Sequence, residues 1–243
     1  MRASILVVVS LCLGLAVSQC KAQSMTADGN VRTFIQGIEI PSIANAPFTA
    51  KVVVNWQEPL SGGGTISRTY YTMVARDSQG RVRRETRDFV PANSGAEPRL
   101  RSFSVNDPVA GTRTTCATAT MTCTSTSFQP RTNLTDAANG SLEGNSANVK
   151  RVSLGEQLID SLRVEGTREV TTNSAGERGN SRVVISNRET WYSPDLGMDL
   201  SVSRNNPQLG EVTLSVTNLV RAEPAASWFA IPSGYQMQSA RGG

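Results

Sequence analysis

The sequence predicts an all-β protein with minor helix: a curved antiparallel meander sheet forming a half-barrel or an open barrel. Three observations carry this expectation. Residues 48–56 alternate cleanly, with Phe48, Ala50, Val52, Val54 and Trp56 on one face, the period-two signature of a half-buried strand. Turn chemistry recurs between β-rich stretches, as in Asp77-Ser78-Gln79-Gly80, Asn106-Asp107-Pro108 and Asn205-Asn206-Pro207. No long helical stretch separates the strands, so parallel units with helical crossovers are disfavoured. Aromatic residues make up only 5% of the chain, so Val, Leu, Ile, Ala and Thr have to build the core.

The chain opens on a targeting segment, residues 1–22. Arg2 supplies a positive start, Ala3 to Val17 is an apolar run, and Cys20-Lys21-Ala22 places small residues before a cut ahead of Gln23. The run is short for a membrane span, and no other run approaches that length, so the mature chain is expected to lack a transmembrane segment. A lipid anchor on Cys20 is disfavoured by Gln19, which is not small. Cleavage removes Arg2 and Lys21 and no acid, lowering the formal charge from +4 to +2. Arginines and acids are interspersed, with no block suited to nucleic acid. These features predict a periplasmic or secreted protein.

Residues 23–47 read as a lead-in, with a short helix or irregular segment from Phe34 to Ile40, which Pro41 ends. A single antiparallel β domain is expected over 48–236, and a polar tail over 237–243. After the first strand, Pro59 and Gly62-Gly63-Gly64 make a flexible loop. Thr65 to Arg76 and Arg81 to Val90 form a hairpin around Asp77–Gly80, and the Arg- and Glu-rich second arm predicts an exposed ion-pair ladder. Arg99 to Val105 is a further strand. Thr112 to Phe128 is Thr-rich, which suits a pleated hairpin, and it carries Cys116 and Cys123. An even pair of cysteines in an exported chain favours a disulfide; the alternative is a pair of redox-active thiols, which the spacing and the lack of a nearby His or Lys disfavour.

Residues 129–148, rich in Asn, Gly, Ser and Ala, form the longest apparent loop. Val152 to Leu162 reads either as a helix, on the face Leu154, Leu158, Ile159 and Leu162, or as a strand bulged at Gly155. Leu162 to Pro194 then forms a hairpin of two long strands, followed by strands over 198–204 and 211–221. Ala225 to Phe229 suggests one helical turn. The strand total is nine or ten.

Histidine is absent. That removes the commonest general base and metal ligand, and with them the Ser-His-Asp and Cys-His arrangements. Two cysteines are too few for a zinc site of their own, and no phosphate loop or dinucleotide fingerprint occurs. No enzyme activity, catalytic residue, metal or cofactor is expected. Glu165, Glu169 and Glu189 are the only carboxylates weighed as a catalytic group, and Arg163, Arg168 and Arg188 beside them favour ion pairing instead. Trp191, Tyr192, Trp228 and Phe229 suit packing or a ligand-lining role.

Three patches carry a resemblance: Arg76-Asp77-Ser78 with Gly80-Arg81, Arg83 and Glu85; Leu154-Gly155 through Gly166-Thr167-Arg168 to Arg188-Glu189 and Ser193-Pro194-Asp195-Leu196; and Gly210-Glu211 through Asn218-Leu219, Glu223-Pro224 and Ile231-Pro232 to Gly234-Tyr235. Together they resemble uncharacterised secreted proteins of the acidobacterial type, which in strand order are similar to the periplasmic lipoprotein-carrier (LolA/LolB-like) half-barrels. The resemblance implies a sheet with an apolar concave face that shields a lipid. Its implied lining is Val52, Val54, Trp56, Val183, Ile185, Leu214 and Val216, with Trp191 as a further candidate. The partners implied are a lipid or lipoprotein, or another protein of the envelope. The alternative is an envelope interaction module with a filled core and no ligand. The cysteine pair belongs to no pattern of that family.

Overall fold

The computed structural model describes residues 37–130, 148–177, 179–207 and 209–238. The export segment, the start of the lead-in, most of the loop read over 129–148 and the last residues of the tail lie outside the described residues.

Alternation in the sequence becomes one large sheet. Its strands are β1 (Phe48–Pro59), β2 (Thr65–Arg76), β3 (Val82–Arg87), β4 (Val90–Pro91), β5 (Leu100–Asp107), β6 (Thr112–Ala117), β7 (Thr122–Ser127), β8 (Val149–Ile159), β9 (Leu162–Asn173), β10 (Val184–Ser193), β11 (Met198–Asn206), β12 (Gly210–Val220) and β13 (Gln236–Gln238). Their order is β13-β7-β6-β5-β3-β2-β1-β12-β11-β10-β9-β8, with β4 paired to β2. Neighbours run antiparallel, except that β13 lies parallel to β7. The sheet stays open, with β8 at one end and β13 at the other.

The meander is therefore two meanders. One runs outward from β1 to β7. The chain then begins again at the far edge, β8, and walks back until β12 pairs with β1. At that seam Val52 faces Val216, Val54 faces Leu214 and Trp56 faces Val212. These side chains share one pleat face, and Leu200 and Val202 extend it on β11. Val54 is 1% exposed and Leu214 0%. Burying each such aliphatic side chain contributes about 1.5–3 kcal/mol, so the seam joins the two halves by packing as well as by its ladder. The opposite face carries Lys51, Thr213, Ser215 and Thr217, none of them buried.

Four details differ from the sequence reading or resolve it. The segment from Val152 onward is strand, not helix. Its register shifts between Ser153 and Gly155, where Gly155 takes φ +83°. The apolar spacing that suggested a helix mixes two strands. Leu158 on β8 is 72% exposed and Leu162 on β9 is buried, and Asp160 and Ser161 turn between them with positive φ. Secondly, β4 and β13 are too short to leave an alternating pattern; the strand total among the described residues is thirteen, against the nine or ten expected. Thirdly, the β3 ion-pair ladder is not on an exposed face. Glu85 is 9% exposed, bonded to Arg87 at 2.8 Å and beside Arg83 at 3.7 Å. Arg83 stacks on Phe103, 4.3 Å from the ring centroid, so an aromatic cover draws the charges inward. Finally, the helical turn exists as a 3-10 turn, Ala226–Trp228. Phe229 after it packs with Ala75 and Val105, on the face opposite the seam's aliphatic row.

Cys116 and Cys123 form a disulfide across β6 and β7, with Cα atoms 4.0 Å apart. Both are fully buried, packed with Phe103 and Tyr235. Closing this short loop restricts the unfolded chain and stabilises the fold by about 2–3 kcal/mol. Reduction, or the double change Cys116→Ala with Cys123→Ala, is expected to lower the urea unfolding free energy by that amount. An unchanged unfolding curve in reductant contradicts it.

Candidate functional site

The residues implied as ligand-lining separate into two places. Val52, Val54, Trp56, Leu214 and Val216 meet at the β1–β12 seam, all buried. Phe89 reaches over this end of the face, 5.8 Å from the Trp56 ring and 4.6 Å from Tyr70. The Trp56 indole Nε1 donates to the Leu209 carbonyl at 2.9 Å. Ile38 and Ile40 of the lead-in are buried too. Val183 and Ile185 stand elsewhere, at the outer end of the β9–β10 hairpin, 57% and 50% exposed. Trp191 lies over Gly166 on the neighbouring strand: a Cβ there would come within 2.6 Å of the indole. The glycine leaves room for the ring, so Trp191 has a packing reason for its place.

The three weighed glutamates are ion-paired. Arg168 Nε donates to Glu189 at 2.6 Å, Arg151 Nε to Glu169 at 2.8 Å, and Arg163 lies 3.6 Å from Glu165. Among the described residues no cluster of His, Cys, Asp and Glu is placed to hold a metal ion. One carboxyl is perturbed. Burial raises the Asp199 pKa above 3.8, against the pull of Arg188 and Arg204. A raised carboxyl binds more protons folded than unfolded between the two pKa values. Stability therefore falls as pH rises through that window, and the penalty persists at neutral pH. Asp199→Asn is expected to raise the urea midpoint at neutral pH and to flatten that fall. A lowered midpoint at neutral pH contradicts it.

A second site joins residues that the sequence reading left apart. Between the lead-in and the end of the β6–β7 hairpin lies a cleft of about 350 Å³, lined by Glu39, Ser42, Arg113, Thr126, Ser127 and Phe128 among others. The Arg113 guanidinium packs on Phe128, 5.3 Å from the ring centroid. Its Nε donates to Asn106 at 2.7 Å. The Ser42 hydroxyl is sealed from solvent and makes no hydrogen bond. Arg84 of β3 is held below its ordinary pKa by burial; Tyr70 and then Glu39 pull it up, and the like charge of Arg113 adds to the lowering. No local motif announces this cleft, because its walls lie some 70 positions apart in the chain.

No family model and no curated protein sequence matches the chain. Solved structures similar to it include an uncharacterized conserved protein from Thermus thermophilus, at 14% identity and TM-score 0.42, covering 80% of this chain and 91% of that one. The MucA/MucB complex of Pseudomonas aeruginosa gives 14% identity and TM-score 0.41, over 78% of this chain and 56% of that one. A LolA superfamily protein from Nitrosomonas europaea gives 10% identity and TM-score 0.31, over 79% and 93%. The functional reading below rests on this chain's own residues.

Proposed function

We propose that the protein is an exported, non-enzymatic envelope protein that binds an apolar ligand, of the lipid acyl class, on the aliphatic face of its sheet. The observation behind this reading is the seam. Val52, Val54, Val202, Leu214 and Val216 form a continuous aliphatic row on adjacent strands. Among the described residues the only helical turn packs on the opposite face. The row is at most 5% exposed, so this reading requires an acyl chain to enter between the row and the segments that already cover it, a place its apolar chemistry suits. The buried disulfide agrees with an oxidising compartment, and the export segment read at residues 1–22 would deliver the chain there. The interaction role proposed for the envelope needs no chemistry beyond these surfaces.

A second reading has its own observation. Every candidate at the seam is already buried, as a filled core would have it, and the protein would then act only through its surface. Native mass spectrometry of protein purified from its own envelope separates the two. Bound lipid mass, lost on Val54→Trp, supports the carrier reading. Repeated absence of bound mass, with no uptake of a fluorescent fatty acid, sinks it and leaves the interaction module.

A further inference from the structure

We propose that the cleft between the lead-in and the β6–β7 hairpin binds a phosphate-class oxyanion, held by Arg113 and the Ser42 hydroxyl. The cleft lies at the β6–β7 end of the same sheet face, several strands from the β1–β12 seam, and the proposal stands whether or not the seam takes a ligand.

Charge is the first argument. Two guanidinium groups, Arg84 and Arg113, lie close enough for their like charges to oppose each other, and Glu39 is the carboxylate that acts on Arg84. Among the described residues one acid faces two bases there, a surplus of positive charge. Among the described residues Arg113 has no ion-pair partner, and its single side-chain hydrogen bond, to Asn106, uses only Nε. The two terminal nitrogens remain for a fork-like contact, the geometry in which arginine holds phosphate. Phe128 fixes the guanidinium plane by stacking, so little side-chain freedom is lost on binding.

The second argument is an unmet hydrogen bond. A buried hydroxyl without a partner costs about 1–3 kcal/mol, and such groups call for an explanation. Ser42 lines the cleft with its hydroxyl turned away from solvent, and the proposal requires a change of χ1, between ordinary rotamer wells, that brings Oγ into the cleft. Thr126, set opposite Arg113 on the neighbouring strand and on the same pleat face, supplies a further hydroxyl. A guanidinium fork and the Ser42 and Thr126 hydroxyls together offer four donors from different elements, an arrangement that suits the several oxygens of a tetrahedral oxyanion. Glu39 at the rim disfavours a highly charged ligand, which favours a single phosphate over a polyphosphate. The volume, about 350 Å³, exceeds a bare phosphate and leaves room for what the phosphate is attached to.

The test has two arms, because the phosphate can be free or part of a lipid headgroup. Inorganic phosphate is titrated into the full chain at constant ionic strength by calorimetry. In parallel, co-sedimentation is measured with phosphatidylcholine vesicles, with and without phosphatidylglycerol. Saturable binding in the first arm assigns a free or soluble phosphate. Binding only to the anionic vesicles assigns a headgroup. In either case Arg113→Gln is expected to weaken binding about tenfold, and Arg99→Gln, a change at an exposed arginine paired with Asp88, to leave it unchanged. Ser42→Ala is the variant that separates binding from folding. It removes a hydroxyl that has no partner, so the unfolding midpoint should hold or rise while binding weakens several-fold. Absence of binding in both arms, equal sedimentation with both vesicle types, or binding that Arg113→Gln leaves intact overturns the proposal.

Discussion

Replacing Arg76 with methionine is expected to lower the urea unfolding free energy by about 3–5 kcal/mol, among the largest effects of any single change in this chain. Arg76 sits at the end of β2 and is completely buried. Its guanidinium donates to three carbonyls on two separate pieces of chain: Nε to Ala46 at 2.9 Å, Nη1 to Pro41 at 3.1 Å and Nη2 to Leu196 at 2.9 Å. The first two belong to the lead-in, and the third to the turn between β10 and β11. One side chain thereby ties residues 41–46 and the returning meander to the first hairpin. It also stacks over Phe48, 5.0 Å from the ring centroid. Burial pushes its pKa down to about 10, which still leaves it charged at neutral pH. Methionine matches much of the volume and removes every donor, so three carbonyls lose their partner. Arg76→Lys keeps the charge but cannot span three acceptors from one planar group, and should recover only part of the loss. A methionine variant within about 0.5 kcal/mol of the parent, the range of an ordinary surface change, refutes the clamp.

Gly210→Ala is expected to cost about 2–5 kcal/mol, the strain of a left-handed residue together with overpacking. Gly210 opens β12 with φ +83°, and a Cβ built there would stand 1.9 Å from the Gln57 carbonyl oxygen. The obstacle is backbone, so no side-chain rotation relieves it. Gln57 pairs with Glu211 at the β1–β12 seam, and relief of the clash must come from parting the strands that join the two meanders. Gly62→Ala serves as the contrast: nothing lies within 4 Å of a Cβ there, and its effect should stay within about 0.5 kcal/mol. Equal midpoints for the two variants refute the seam argument.

What was legible in the residues is what neighbours in sequence decide. Phe48 to Trp56 alternates because a strand turns its side chains by half a revolution at each step, and that row is buried in the fold. Asp77–Gly80 makes its turn through the aspartate itself: Asp77 accepts from the Gln79 and Arg81 backbone and from Arg81 Nε. Cys116 and Cys123 pair because a short turn between antiparallel strands sets them opposite each other. The residues implied as a lining fall in two places. Val52 and Leu214 meet across the seam, but Val183 and Ile185 carry the same apolar signature at an exposed hairpin end. Alternation tells which side a residue takes, and not how far along the strand the cover reaches.

The sequence by itself determined the class of structure, most of the strands and their turns, and it favoured the cysteine bridge, since each depends on a few adjacent residues and on local backbone preference. Only the tertiary structure decided that β12 returns to β1, that the Arg76 guanidinium gathers three distant carbonyls, and that Ser42 and Arg113 face one cleft. Those arrangements depend on contacts between segments up to about 170 positions apart, and no short window of sequence records which remote partner will satisfy a buried donor or cover an apolar face.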